Sequence, residues 1–111
     1  MTDLDIIKQI EKELNIKLEK LDEIEFSSKG YTLNQNGQVT GLGLYECEIK
    51  NLNRIISLLK ALSNLTELNL WDNQLSDISP LKDLNLTELN LSGNQLSDIS
   101  HMKKMSYLNK L

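Results

Sequence analysis

Cys47 and His101, the single cysteine and the single histidine of the chain, are the residues best suited to covalent chemistry. A cysteine nucleophile needs a base within hydrogen-bonding reach. The two residues stand in separate segments, and His101 occupies the position that Pro80 holds in a near-copy of its segment. We therefore interpret Cys47 as a structural residue and His101 as a surface residue, and we expect no enzymatic activity and no cofactor.

Asp77 and Asp98 occupy equivalent positions in two near-identical segments and could share a cation. A hard cation normally needs about six oxygen ligands, whereas capping a short helical turn explains each aspartate without a metal. We therefore expect no metal site. The basic residues Lys82, Lys103 and Lys104 have no interleaved aromatic residues, and the net charge is -4. Nucleic acid is not expected as a partner, because binding phosphates requires clustered positive charge.

The strongest pattern in the chain is a near-duplication. LTELNLWDNQLSDIS at residues 65–79 returns as LTELNLSGNQLSDIS at residues 86–100, and only two of the 15 aligned positions differ. Those two positions hold Trp71 and Asp72 in the first copy, and Ser92 and Gly93 in the second. The leucine spacing is typical of a repeat made of a short strand, a turn and a helical or 3₁₀ return. Such units must stack, because one unit alone cannot bury its apolar edge.

Residues 65–84 fit the string LxxLxLxxNxLxDIxPLxxL at every fixed position. In this respect residues 39–111 resemble bacterial leucine-rich-repeat proteins of the internalin type. The resemblance implies an α/β fold, a short right-handed leucine-rich-repeat solenoid with a parallel sheet on its concave face, and partner binding by that face. The earlier segment GYTLNQNGQVTGLGLYEC, at residues 30–47, more loosely resembles the repeat entry of Roco-type multidomain signalling proteins.

Residues 1–38 are predicted to form an N-terminal cap, a helix plus a β-hairpin, that closes the first end of the stack. A capping-box pattern that begins at Thr2, followed by apolar residues at helical spacing, predicts a helix at about residues 3–14. The Asn-Gly pair at residues 36–37 lies between two apolar alternations and predicts the hairpin turn. A short strand is predicted at residues 24–26.

The repeats are predicted to occupy residues 39–111, as the units 39–64, 65–85, 86–107 and an incomplete unit 108–111. The first unit is divergent, because Cys47 takes the turn position that Asn73 holds in the second unit. Its return segment, residues 52–62, has helical spacing and predicts a helix of about two to three turns. In the second unit, Asp77 is predicted to cap a short helical turn that Pro80 begins.

The C-terminal residues begin a further strand without completing its unit. Met105, Leu108 and Leu111 repeat the apolar spacing that opens the earlier units. We favour the interpretation that the chain is a fragment of a longer array, because an uncapped end exposes both a core face and a strand edge. The same edge gives an alternative expectation, self-association into a homodimer through these three residues.

In each repeat strand the leucines are predicted to point into the core, so the residues between and just after them point to the concave face. The candidate partner-binding residues there are Tyr45, Glu46, Glu67, Asn69, Trp71, Asp72, Glu88 and Asn90. Tyr45 and Trp71 stand in one column among carboxylates, which predicts a protein or peptide partner with basic or hydrogen-bond-donating groups. Alternatively, the two aromatic rings lie on each other and only shield the sheet from water.

The sequence favours a non-catalytic protein-interaction module over two rivals. One rival is self-assembly through the C-terminal edge, and the other is a regulatory front end of a larger GTPase-like signalling enzyme. No G-x-x-x-x-G-K-[ST] phosphate loop occurs in the chain, so such an enzyme domain would lie beyond residue 111. No stretch approaches the roughly 20 apolar residues of a membrane span, and the acidic start is unlike a signal peptide. We therefore expect a cytoplasmic protein without membrane contact.

Overall fold

The structure, a computed structural model, describes residues 1–95. Several predictions fall on later residues and lie outside this described part of the chain. They concern the third unit beyond residue 95, the incomplete fourth unit and its self-association residues, and the following side chains: Asp98, His101, Lys103, Lys104, Met105, Leu108 and Leu111.

Helix α1, Asp3–Leu14, confirms the helix predicted at residues 3–14 and the capping box predicted at its start. Thr2 Oγ1 accepts a hydrogen bond from the Asp5 amide at 3.1 Å, and Asp5 Oδ2 accepts one from the Thr2 amide at 3.0 Å. The helix ends at Asn15, whose φ of 54° is left-handed, as is common at a helix C-terminus. Its buried face consists of Ile6, Ile7 and Ile10.

Five strands form one sheet in chain order: β1 Glu19–Lys20, β2 Lys29–Leu33, β3 Val39–Leu44, β4 Glu67–Asn69 and β5 Glu88–Asn90. The β1–β2, β3–β4 and β4–β5 pairs are parallel, whereas β2 and β3 are antiparallel. The prediction of a parallel sheet is therefore correct only in part, because β2 and β3 form an antiparallel hairpin. The sheet as a whole is mixed.

The hairpin between β2 and β3 turns where the Asn-Gly pair predicted it. Gly37 has a φ of 77°, and Asn34 Oδ1 accepts hydrogen bonds from the amides of Asn36 at 2.9 Å and Gln38 at 3.0 Å. The strand predicted at residues 24–26 is wrong: the chain is extended and paired at β1 instead, and residues 24–26 belong to no strand. They lie on the sheet, as described below.

The leucines of the repeat strands pack beneath the sheet. In β4 and β5 the register pairs Leu68 with Leu89, and both side chains are buried. Leu70 and Leu91, directly after these strands, are buried as well. Each such side chain contributes about 1.5–3 kcal/mol of hydrophobic stabilisation. The predicted inward orientation of the leucines is therefore confirmed, and the residues between them lie on the other face of the sheet, hereafter the outer face.

The return segments differ in length from unit to unit. Helix α2, Ile56–Ala61, has six residues and is therefore shorter than the predicted helix of two to three turns. Between β4 and β5, a 3₁₀ helix at Ser79–Asp83 carries Pro80 in its first turn, and Asp77 Oδ1 accepts a hydrogen bond from the Ser79 amide at 2.9 Å. None of the helices within residues 1–95 has the length and apolar character needed to cross a membrane.

Asparagines bind the turns of neighbouring units together. The buried Asn73 accepts hydrogen bonds at Oδ1 from the amides of Cys47 at 2.9 Å and Ile49 at 3.1 Å. Its Nδ2 donates to the carbonyls of Leu44 at 2.8 Å and Leu70 at 3.0 Å. Because the side chain satisfies four backbone groups of two successive turns, it fixes the position of one unit on the next.

Candidate functional site

The candidate residues of β4 and β5 lie side by side on the outer face. The register pairs Glu67 with Glu88 and Asn69 with Asn90. Adjacent strands are about 4.8 Å apart, so each pair forms a short row across the sheet. Glu67, Glu88 and Asn90 are half-buried, whereas Asn69 is buried, with 3% of its surface exposed. The burial of Asn69 has a specific cause.

Residues 24–28, hereafter the strap, lie across the outer face on top of β3. The Tyr45 amide donates a hydrogen bond to the carbonyl of Ser28 at 3.2 Å. A Cβ atom built on Gly43 would come within 2.6 Å of that same carbonyl oxygen, and one on Gly41 would come within 2.9 Å of Ile24 Cγ1. The strap can approach this closely only because both outer-face positions of β3 carry glycine.

Asn69 holds the strap against β4. Its Nδ2 donates to the carbonyl oxygens of Glu25 and Phe26, each at 2.7 Å. Its Oδ1 accepts a hydrogen bond from the Trp71 amide at 3.1 Å, which fixes the orientation of the side-chain amide. The sequence places Asn69 among the partner-contacting residues, whereas in the structure its amide anchors another part of the same chain.

The strap places Phe26 beside both candidate aromatic residues. The Phe26 ring lies 4.4 Å from the Trp71 ring between centroids, tilted by 48°, and 6.5 Å from the Tyr45 ring in an edge-on arrangement. Phe26 remains 53% exposed, and Trp71 and Tyr45 are half-buried. Three aromatic side chains from separate parts of the chain therefore form one partly exposed group, hereafter the aromatic cluster. Phe26 was not among the residues that the sequence singled out.

The carboxylates of Glu46 and Asp72 lie next to the aromatic cluster and are exposed. A side-chain hydrogen bond with Glu46, followed by the negative charge of Glu46, burial and the negative charge of Asp72, raises the pKa of the Tyr45 hydroxyl. The charges of Glu46 and Asp72 contribute to this shift because a nearby negative charge disfavours loss of the proton. The two carboxylates also favour a ligand that carries positive charge or hydrogen-bond donors.

Glu46, Asp72 and Gly93 occupy equivalent positions at the ends of successive strands, and each has a left-handed backbone. Glu46 donates its amide to the Trp71 carbonyl at 3.1 Å, and Asp72 donates to the Ser92 carbonyl at 2.9 Å. A Cβ atom on Gly93 would fall only 2.0 Å from Asp72 Oδ1. The glycine at position 93 therefore has a packing reason, whereas the structure gives no such reason for Trp71 against Ser92.

A groove runs between the strap and β5, hereafter the strap groove. Its volume is about 180 Å³, and it is open to solvent. The floor comes from the two repeat strands and the wall from the strap, so its lining consists of Ile24, Glu25, Phe26, Glu67, Leu68, Asn69, Glu88, Leu89 and Asn90. Four of the predicted partner-binding residues therefore line one concavity. Of the other four, Tyr45 and Trp71 belong to the aromatic cluster, and Glu46 and Asp72 lie beside it.

Cys47 lies in the turn after β3, and its surroundings fit the structural interpretation. The side chain is buried, and burial raises the pKa of its thiol, with a smaller opposing effect from Lys29. The protonated thiol contacts the Tyr45 carbonyl at 3.4 Å from Sγ. Within residues 1–95, no three histidine, cysteine, aspartate or glutamate side chains are grouped so that they could hold a metal ion.

Residues 1–95 thus form a mixed α/β fold, in which strand-and-return units extend a five-stranded sheet. The family model described as Leucine Rich Repeat matches the chain twice, at residues 64–84 and 85–105. The first match contains β4 and the 3₁₀ helix, and the second contains β5. These matches support a leucine-rich-repeat protein. A comparison with curated proteins found no match.

Proposed function

We propose that the chain is a non-catalytic protein-interaction module, a short right-handed solenoid of the internalin type whose concave side is the outer face of the sheet. Residues 1–38 cap the first unit in this proposal. Their attachment is supported by Asp3 Oδ2, which accepts a hydrogen bond from the Val39 amide at 2.9 Å. Solenoids built from leucine-rich repeats commonly present their concave surface to a protein partner.

The aromatic cluster is the observation that carries the proposal. Trp71 stands at one of the two positions where the near-identical copies differ, and the core does not require a tryptophan there, because the other copy has Ser92. Phe26 and Tyr45 surround it and leave part of the group in contact with water. Partly exposed tryptophan and tyrosine side chains are the residues that most often anchor protein interfaces.

The carboxylates around the cluster define the chemistry of the partner. Glu46 and Asp72 are exposed beside it, and Glu67 and Glu88 lie in register on the neighbouring strands. Carboxylates at the rim of an interface steer and select partners with complementary charge. The proposed partner is therefore a protein or peptide that presents basic or hydrogen-bond-donating groups to the cluster.

The proposal is tested by comparing what the wild-type chain and a variant capture from a lysate of the source cells. The variant carries Tyr45→Ala and Trp71→Ala, which remove two of the three rings. A matched control carries Lys82→Ala and Asn85→Ala, two exposed positions in the return part of the repeats. Captured proteins are quantified by mass spectrometry, and circular dichroism checks that all three chains fold.

A protein that is retained by the wild type and the control but lost from the aromatic variant would support the proposal. Its binding is then measured with the purified partner, where loss of a central aromatic anchor is expected to weaken affinity by about 2 kcal/mol or more. Equal capture by all three chains would contradict it.

A further inference from the structure

Asn69 shows how the outer face holds an extended main chain. Its Oδ1 is engaged by the Trp71 amide, two residues further along, so its Nδ2 points away from the sheet. There it donates to two consecutive carbonyl oxygens of the strap, those of Glu25 and Phe26. A side-chain amide oriented by its own backbone therefore serves as a main-chain clamp on this face.

Asn90 has the same arrangement on the next strand. It pairs with Asn69 in the sheet register, and its Oδ1 accepts a hydrogen bond from the Ser92 amide at 3.1 Å, again two residues further along. The common bond orients both amides alike. Among residues 1–95, however, the Nδ2 of Asn90 has no acceptor, because the strap ends over β4. Asn90 is one of the residues that line the strap groove.

We propose that the strap groove binds an extended peptide segment of the partner, alongside the strap, with a main-chain carbonyl accepting a hydrogen bond from Asn90 Nδ2. The inference rests on the proposed function and specifies the form in which the partner is recognised. In this proposal the peptide lies over β5 in the way that the strap lies over β4. The contact between the strap and Asn69 is therefore the model for the contact between the peptide and Asn90.

The walls of the groove specify the side chains of this peptide. Glu67 and Glu88 are neighbours on the floor, and Glu25 stands on the strap, so the groove carries carboxylates on two sides. Phe26, which is 53% exposed, supplies an apolar surface at the same wall. A lysine or arginine next to an apolar residue fits this combination, because its charge meets the carboxylates and its neighbour packs on the ring.

The size of the groove agrees with a segment rather than a folded surface. Its volume of about 180 Å³ offers room for a side chain, and its open side leaves room for the main chain that carries it. The remaining contacts of a larger partner would then fall on the aromatic cluster next to the groove.

The test uses a phage-displayed library of random linear dodecapeptides, selected on the immobilised full chain. Enriched peptides are synthesised and their affinity is measured by fluorescence polarisation. We expect them to share a lysine or arginine next to an apolar residue, and we expect their binding to weaken with added salt. Enrichment of acidic peptides, or of none, would overturn the inference.

The decisive variant is Asn90→Asp, which keeps an oxygen for the Ser92 amide but replaces the donor nitrogen with a negatively charged oxygen. If Asn90 donates to a peptide carbonyl, binding weakens by about tenfold or more. If the groove only attracts positive charge, the added carboxylate strengthens binding instead. Asn85→Asp introduces the same charge at an exposed position beside Asp83, outside the groove, and is expected to leave affinity unchanged.

A second variant, Glu88→Gln, keeps the inference testable if Asn90→Asp fails to fold. It is expected to weaken binding of the basic peptides at low salt and to have little effect at high salt. Peptides that bind Asn90→Asp and Glu88→Gln as tightly as the wild type, yet lose binding with Trp71→Ala, would overturn the groove inference while supporting the proposed function. Peptides that depend on Asn90 but are indifferent to Trp71→Ala would support the groove and count against an aromatic anchor.

Discussion

The indole ring of Trp71 lies against the phenyl ring of Phe26, with centroids 4.4 Å apart and planes tilted by 48°. Trp71 belongs to the duplicated segment at residues 65–79, and Phe26 belongs to the strap. The contact therefore joins the N-terminal part of the chain to the duplicated segments. A protein that binds at Trp71 must also meet Phe26, which is the more exposed of the two. The surface around Trp71 is therefore built jointly by the strap and the sheet.

Phe26→Ala is expected to expose Trp71 without unfolding the chain. Trp71 is the only tryptophan, so the tryptophan fluorescence of the chain comes from this position. We expect a red-shifted emission maximum and stronger quenching by acrylamide, with a loss of about 0.5–1.5 kcal/mol for the aromatic pair. Leu4→Ala, at an exposed position of helix α1, is the control and should leave the emission unchanged. Identical spectra for the Phe26 variant and the wild type would contradict the contact.

Gly43→Ala is expected to displace the strap. The new Cβ atom would lie 2.6 Å from the carbonyl oxygen of Ser28 and 3.0 Å from its carbonyl carbon, and both are backbone atoms that cannot rotate away. We expect a loss of about 1–3 kcal/mol in the free energy of unfolding, together with a change in Trp71 fluorescence. Urea denaturation followed by circular dichroism and by fluorescence measures both.

Gly37→Ala provides the matched comparison. Gly37 has a positive φ of 77° but open space around it, so alanine costs about 1–2 kcal/mol of backbone strain and touches nothing. The Trp71 fluorescence of the folded variant should equal that of the wild type. A fluorescence change of the same size in both glycine variants would mean that Gly43 has no special relation to the strap.

The elements with local signals could be predicted from the sequence. The helix at residues 3–14 follows from a capping pattern and an apolar period that both lie within the helix itself. The inward leucines of β4 and β5 follow from the duplicated spacing, and the hairpin follows from its Asn-Gly turn. The length of α2 was overestimated, because apolar spacing continues through residues 52–55, which form a turn rather than a helix.

The strap could not be predicted in the same way, because distant residues determine its path. The apolar side chains of residues 24–26 predict a strand, but the carbonyls of Glu25 and Phe26 bond to the side chain of Asn69 rather than to a neighbouring strand. One signal was present in the sequence: Gly41 and Gly43 lie on the same face of β3, which indicates that another segment approaches that face closely. That signal does not say which segment, so Phe26 was missed.

Asn73→Ala is expected to destabilise the fold far more than Asn94→Ala. Asn73 is 4% exposed and satisfies buried backbone groups of two turns, which alanine would leave without partners. We expect a loss of about 2–4 kcal/mol. Asn94 makes similar bonds, with Leu75 and Leu70 among its partners, but it is half-buried, so water can replace them. Equal losses in urea denaturation would contradict this difference.

The capping box gives a prediction for acid pH. Hydrogen bonds from the Thr2 amide and from the Thr2 side chain lower the pKa of Asp5 from its ordinary value of 3.8. The folded state therefore favours the carboxylate, and its contribution to stability is present above the unfolded pKa and lost as pH falls through the folded pKa. In Thr2→Val, which removes the hydroxyl but keeps the backbone amide of residue 2, the Asp5 pKa measured by NMR should rise part of the way towards its ordinary value. Thr87→Val is the control, and an unchanged Asp5 pKa in Thr2→Val would refute the assignment.

Cys47 gives the corresponding prediction for alkaline pH. Burial raises the thiol pKa above its ordinary value of 9.0, so the folded state favours the protonated form. The thiol should react slowly with a disulfide reagent such as DTNB in the native chain and rapidly in urea. The contribution of the Cys47 thiol to stability is present below the unfolded pKa and is lost as pH rises through the folded pKa. Cys47→Ala should remove that part of the pH dependence of stability. Rapid stoichiometric labelling of the native chain would show instead that the turn after β3 opens readily.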